Sequence, residues 1–132
     1  MELLFLDAPY TGTVELCKET LQYLKKQKYS IVGLYASVQF VGKLDKAKKQ
    51  LDDAGIKIIT SKADRAHVSS QLLGCDNYHD SLHLSEKEFQ DIDAYLYIGD
   101  GKFHPLALVY AQKDNPTIKE IGNREISQKG KN

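Results

Sequence analysis

Two cysteines in 132 residues are too few for a disulfide scaffold, so the composition points to a reducing compartment, and the cytoplasm is the expected location. Charge excess is missing as well: 18 Lys and Arg balance 18 Asp and Glu, for a formal net charge of zero. That removes the basic surplus of a nucleic-acid binder and the acidic surplus of a solvating tail. No apolar run is long enough to cross a bilayer, so no membrane partner is expected. The apolar start, Met1-Glu2-Leu3-Leu4-Phe5-Leu6-Asp7, lacks the basic region of a signal peptide and reads as a strand. Internal repeats and low-complexity segments are also absent. What remains is 42% hydrophobic and 27% charged, enough for the core of one soluble domain.

Apolar runs and helical spacings alternate along the chain. Leu3 to Leu6 reads as a buried strand ended by Asp7-Ala8-Pro9. Thr13 is placed to cap a helix whose apolar stripe is Val14, Cys17, Leu21 and Leu24. Ile31 to Ala36 is a strand. Leu44, Ala47, Leu51 and Ala54 recur at helical spacing, with Gly55 as the C-terminal stop. Ile56 to Thr60 is the next strand, and Ser61 to Tyr78 has no clear period. Leu82 to Gln90 predicts a short helix, which Ser85 and Glu88, spaced as a capping box, would start late. Ala94 to Ile98 is a strong strand, His104 to Ala111 a helix with Pro105 at its start, and Pro116 to Ile121 a last strand. The expectation is an α/β fold, three-layer α/β/α, with a mostly parallel sheet of four to five strands over residues 1–121. Residues 122–132 are expected to form a polar, disordered tail.

In such sheets ligands bind beyond the carboxyl ends of the strands. The loops there carry the residues that do not read as core. Cys75, between Gly74 and Asp76, has three readings: a buried structural cysteine, a thiolate ligand to a soft metal or cluster, or a zinc ligand with His79 and His83 at helical spacing. Cys17, on an apolar stripe, reads as core. Gly99, Asp100 and Gly101 join a strand to a helix, either as a tight turn or as a helix N-terminus suited to a carboxylate or phosphate. His104 fits a cap, a general base or an orienting donor. Gln39, just past the second strand, is placed either to reach a ligand or to face solvent. Lys43 to Lys49 reads as a solvated helix face.

Three segments then stand together. Ser37-Val38-Gln39, Gln71-Leu72-Leu73-Gly74-Cys75-Asp76, and Asp93-Ala94-Tyr95-Leu96-Tyr97-Ile98-Gly99-Asp100-Gly101-Lys102-Phe103-His104-Pro105-Leu106 resemble, in order, the diphthamide synthase family, the 2-(3-amino-3-carboxypropyl)histidine synthases. The resemblance implies enzymes that are homodimers in archaea, built from three similar α/β domains. Each domain supplies one cysteine to a [4Fe–4S] cluster. The cluster binds S-adenosylmethionine and cleaves it to a 3-amino-3-carboxypropyl radical, which adds to a histidine of translation elongation factor 2. Cys75 matches the cysteine of the middle domain. The loop from Gly99 to His104 would then take the amino-acid or nucleoside end of S-adenosylmethionine, with Gln39 nearby.

The resemblance also implies what this chain lacks: the first and third cysteines. It would need other diphthamide synthase domains or subunits, or further copies in a homo-oligomer, and would be inactive alone. It reads as an excised domain, a split-gene subunit or a stand-alone relative. The alternative is a non-catalytic α/β binding or assembly module derived from that family.

Overall fold

The computed structural model describes residues 14–66, 68–73, 78–99, 103–111, 115–121 and 124–128. The expected strand at Leu3 to Leu6 and the Thr13 cap lie outside them. The regular elements are α1 (Lys18–Lys26), β1 (Ile31–Ala36), α2 (Asp45–Asp53), β2 (Lys57–Ile59), α3 (Glu86–Asp91), β3 (Ala94–Ile98), α4 (Phe103–Ala111), β4 (Thr117–Ile121) and β5 (Arg124–Gln128), with 3-10 turns at Val41–Lys43 and His79–Leu82. The sheet order is β2-β1-β3-β4-β5. The first four strands run parallel and β5 is antiparallel to β4. Among the described residues, no helix is long and apolar enough to cross a membrane.

The continuous apolar runs at Ile31 to Ala36 and Ala94 to Ile98 make the two central strands because both faces of each are covered. Side chains alternate between the faces. Val32, Leu34, Ala36, Ala94, Leu96 and Ile98 pack with Leu24 of α1 and Ala47 and Leu51 of α2. Tyr35, Tyr95 and Tyr97 point the other way, under Ala63, Ala66, Ala107 and Ala111. Large rings on one layer meet small residues on the next, which keeps the second interface closely packed. Gly33 continues this pattern within the sheet. It pairs with Tyr95, and a Cβ at Gly33 would lie 2.8 Å from Cδ1 of that ring.

The caps explain the element ends. Gly55, at φ +76°, closes α2: its N–H bonds the Asp52 carbonyl at 2.9 Å, and the Ile56 N–H bonds the Leu51 carbonyl at 2.9 Å. That is a Schellman closure, in which a left-handed residue lets the last carbonyls find donors. Ser85 starts α3 with the expected reciprocal box: the Glu88 N–H donates to Ser85 Oγ at 3.1 Å, and the Ser85 N–H to Glu88 Oε1 at 3.0 Å. The helix expected over Leu82 to Gln90 therefore takes the late start. Leu82 instead ends a 3-10 turn, and His83 at φ 52° separates it from α3.

Two expectations give way. The first helix begins at Lys18, not near Thr13, with Cys17 in the N-cap position. Leu16 is held out of the helix by Gln50, whose amide takes both backbone groups: the Leu16 N–H donates to Oε1 at 2.7 Å, and Nε2 donates to the Leu16 carbonyl at 3.2 Å. Val14 and Leu16 are both buried there. Cys17 is thus half-buried at a helix start, with Sγ 3.3 Å from Thr20 Oγ1, and does not lie in an apolar stripe. The polar tail also contains a strand: Arg124–Gln128 pairs with β4, bringing Arg124 opposite Ile121. Backbone pairing, not side-chain apolarity, orders it, which is why a reading based on composition passed over it.

Candidate functional site

The strand order reverses between β1 and β3. From β1 the chain crosses through α2 on one face, whereas from β3 it crosses through α4 on the other. The loops leaving the carboxyl ends of these neighbours part in opposite directions, and the gap between them is where open α/β sheets bind ligands. Ser37 and Gly99 stand at its two sides. The Ser37 N–H donates to the Ile98 carbonyl at 3.0 Å, and its carbonyl accepts from Phe40 N at 3.0 Å and Val41 N at 3.1 Å. Phe40, buried in the core, anchors the turn. Gln39 is half-buried in that turn, beside the gap.

The segment leading to Cys75 is tied to the same edge. Gln71 forms a parallel bridge with Ala36, the last residue of β1. The Ala36 N–H donates to the Ser70 carbonyl at 2.8 Å, and the Leu72 N–H to the Ala36 carbonyl at 3.1 Å. Thr60 braces the approach, donating to the Leu34 carbonyl at 2.8 Å while 2.7 Å from Ser70 Oγ. Leu72 is fully buried, so the chain enters Gly74 from a fixed point. Gly74, Cys75 and Asp76 themselves lie outside the described residues, as do Asp100 and Gly101. His104 falls in the first turn of α4, and its side chain is not described. Pro105 is the third residue of that helix, where the N–H it lacks has no helical partner to lose.

Gly99 is buried, and the space beside it is filled. An added Cβ would come within 2.9 Å of Tyr97 Cε1, 3.0 Å of the Tyr97 hydroxyl and 3.0 Å of Ser37 Oγ. Two hydroxyls thus converge on the end of β3. Sequence reasoning singled out Gln39 and Gly99 but not Ser37 or Tyr97. The signal was their place at the carboxyl ends of two neighbouring parallel strands, Ser37 just after β1 and Tyr97 next to last in β3.

The zinc reading is corrected. His79 and His83 do not share an α-helical face, since one begins a 3-10 turn and the other follows it in a left-handed conformation. Each ring has its own partners. His79 stacks on Phe89 with centroids 3.8 Å apart, with Nε2 3.0 Å from Glu86 and Nδ1 3.3 Å from the Ala111 carbonyl. His83 bonds Asp64. No group of three or more metal-ligating side chains forms among the described residues.

Behind the gap, the Tyr35 hydroxyl lies 2.6 Å from Ser61 Oγ, which in turn donates to the Leu82 carbonyl. Burial pushes the Tyr35 phenol up to about 12, and burial also pushes Tyr95 upward. Both stay neutral as part of the floor. Around the gap the described side chains Ser37, Gln39 and Gln71 are uncharged hydrogen-bonding groups, suited to holding a ligand and not to moving its protons.

Comparison with known proteins adds the chemistry. A family model described as "Putative diphthamide synthesis protein" matches residues 3–128. The 2-(3-amino-3-carboxypropyl)histidine synthase of Pyrococcus horikoshii is 32% identical over 103 residues, covering 77% of this chain and 28% of that protein. The crystal structure of Dph2 from Pyrococcus horikoshii is similar at a TM-score of 0.63 and 25% identity, over 83% of this chain and 30% of that one. The structure of the same protein with a 4Fe-4S cluster matches with the same values. The chain spans less than a third of the length of these relatives.

Proposed function

Because this chain belongs to the family of diphthamide synthesis proteins, we propose that it is one domain or subunit, corresponding to the middle domain, of an enzyme that transfers the 3-amino-3-carboxypropyl group of S-adenosylmethionine to a histidine of translation elongation factor 2. Cys75 supplies one thiolate to a [4Fe–4S] cluster. Gln39, Gly99, Asp100, Gly101 and His104 contribute to the S-adenosylmethionine pocket. The observation that carries this reading is the bridge from Gln71 to Ala36, because it ties the approach to Cys75 to the strand edge that also ends at Gly99.

The donors on this chain fit one corner of such a cluster, not a complete site. The sequence has two cysteines. Cys17 stands at the N-cap of α1, with Sγ 3.3 Å from Thr20 Oγ1. The remaining thiolates come from other domains or subunits, so the isolated chain is inactive. A radical intermediate also needs walls that exclude water, and one α/β layer does not enclose it.

Anaerobic reconstitution with iron and sulfide, for the chain alone and for the chain mixed with the remaining domains of a relative, tests this. The expected result is a visible cluster absorbance in the mixture that Cys75→Ala abolishes. Absence of the band under both conditions overturns the reading and favours a non-catalytic binding or assembly module.

A further inference from the structure

We infer that the outward face of α4 is the docking surface for a neighbouring domain of the same enzyme, an inference that rests on the multidomain reading above. The nine residues of Phe103–Ala111 include no Asp, Glu, Lys or Arg. A surface helix normally turns a polar stripe to water, and one that is apolar all round is covered on every side. In α4 it is the small residues that face the sheet: Ala107 and Ala111 are buried in the layer of Tyr35, Tyr95 and Tyr97. The larger apolar residues are left outside. Leu106 and Val109 are half-buried and Tyr110 is 59% exposed, at the i, i+3, i+4 spacing of one stripe. A second exposed ring lies at the same end of the helix. Tyr78, 75% exposed, precedes His79, whose Nδ1 is 3.3 Å from the Ala111 carbonyl. Exposed tyrosines beside aliphatic residues are the usual anchors of a protein interface.

Position selects the occupant. α4 follows β3 after a short loop and runs back from the carboxyl end of that strand for about 14 Å. A domain that lends a thiolate at the β1/β3 edge therefore stands beside the start of α4, with the uncharged stripe continuing from there. The relatives have the mass for it, since this chain matches only 28–30% of their length. The chain's own remaining segments fit the face less well. The described chain begins at Val14 and Leu16, buried in the opposite layer with α2, so the apolar run at Leu3 to Leu6 joins it on that side. The other segments outside the described residues contain no apolar run. A stripe of aliphatic groups with phenolic hydroxyls at its edge fits an apolar partner surface rimmed by hydrogen-bond acceptors.

Coexpression of the full chain with the remaining domains of the Pyrococcus horikoshii relative, followed by affinity purification and hydrogen exchange, tests this. The expected result is a complex in which exchange at residues 106–111 slows by about 10-fold or more relative to the chain alone. Tyr110→Lys, at an exposed position near a helix C-terminus, should leave the Tm of the chain unchanged and weaken the complex by about 10–100-fold. Tyr110→Phe should keep most of the affinity. Gln22→Lys, exposed on α1 in the opposite layer, should keep all of it. Equal recovery of the complex with Tyr110→Lys overturns the inference. So does a chain that dimerises through this face and, after Tyr110→Lys, becomes monomeric yet still binds the remaining domains. If the parent chain gives no complex, the docking surface falls, and the Cys75 reading falls with it only when the cluster band is absent too.

Discussion

Replacing Gly99 by alanine adds one methyl group at a point with no room for it. The new Cβ would lie 2.9 Å from Tyr97 Cε1, and that ring is fully buried at 0% exposure, so it cannot swing outward. The Ser37 hydroxyl, 3.0 Å away on the other side, belongs to a residue whose backbone is bonded at both its N–H and its carbonyl. Relief must come from moving β3 against β1, and overpacking of this kind is destabilising by about 1–3 kcal/mol. For a domain of this size that corresponds to a fall in Tm of about 4–12 °C. Gly42→Ala is the control: a Cβ there meets nothing within 4 Å, and the residue is already in a 3-10 turn. It should be neutral or stabilising by up to about 1 kcal/mol. Urea unfolding of both variants, followed by circular dichroism, gives the comparison. In a Tyr97→Phe background the Cε1 contact persists, so Gly99→Ala should remain nearly as destabilising there. If Gly99→Ala and Gly42→Ala unfold at the same urea midpoint, the packing described around the end of β3 is wrong.

Two further outcomes are expected from the capping and the buried phenols. Ser85→Ala breaks both arms of the box on a six-residue helix, lowering stability by about 1 kcal/mol. Hydrogen exchange in Glu86–Asp91 should quicken before the rest of the fold responds, whereas uniform exchange would show that the box does not hold α3. Tyr35 has a folded-state pKa raised from 10.0 to about 12 by burial, so its protonated form is the one the fold favours. Its contribution is complete below pH 10 and is lost as pH rises from 10 to about 12. Urea midpoints should fall across that window, and the last phenolate absorbance at 295 nm should appear together with loss of ellipticity. Full titration of all tyrosines with the ellipticity intact would refute it.

The central strands were legible because burial on both faces leaves an uninterrupted apolar run, as in Ile31 to Ala36 and Ala94 to Ile98. The stops were legible where chemistry is local: Gly55 within one turn of α2, and Ser85 with Glu88 three residues on. The start of α1 was not, because the group that keeps Leu16 out of the helix is Gln50, 34 positions away. The strand at Arg124–Gln128 was not, because it is selected by the edge of β4 and not by its own side chains. For the site, the motifs pointed to Gln39 and Gly99, but nothing local says that Ser37 abuts Gly99. That contact exists only because β1 and β3 are neighbours in the sheet.

The same adjacency has a consequence for how the molecule comes together. The Asp93 carboxylate that receives the Ser30 and Ile31 amides is reached across 62 residues, and every β1/β3 pair spans a similar distance. During synthesis, β1 therefore leaves the ribosome with one long flank unmatched and must wait for β2, the irregular stretch and α3 before its central neighbour arrives. Closing so large a loop is slow compared with making the helices. The gap between β1 and β3 is then among the last features to form, and a chain stalled before Ala94 would present a bare apolar edge, a substrate for chaperones or for aggregation.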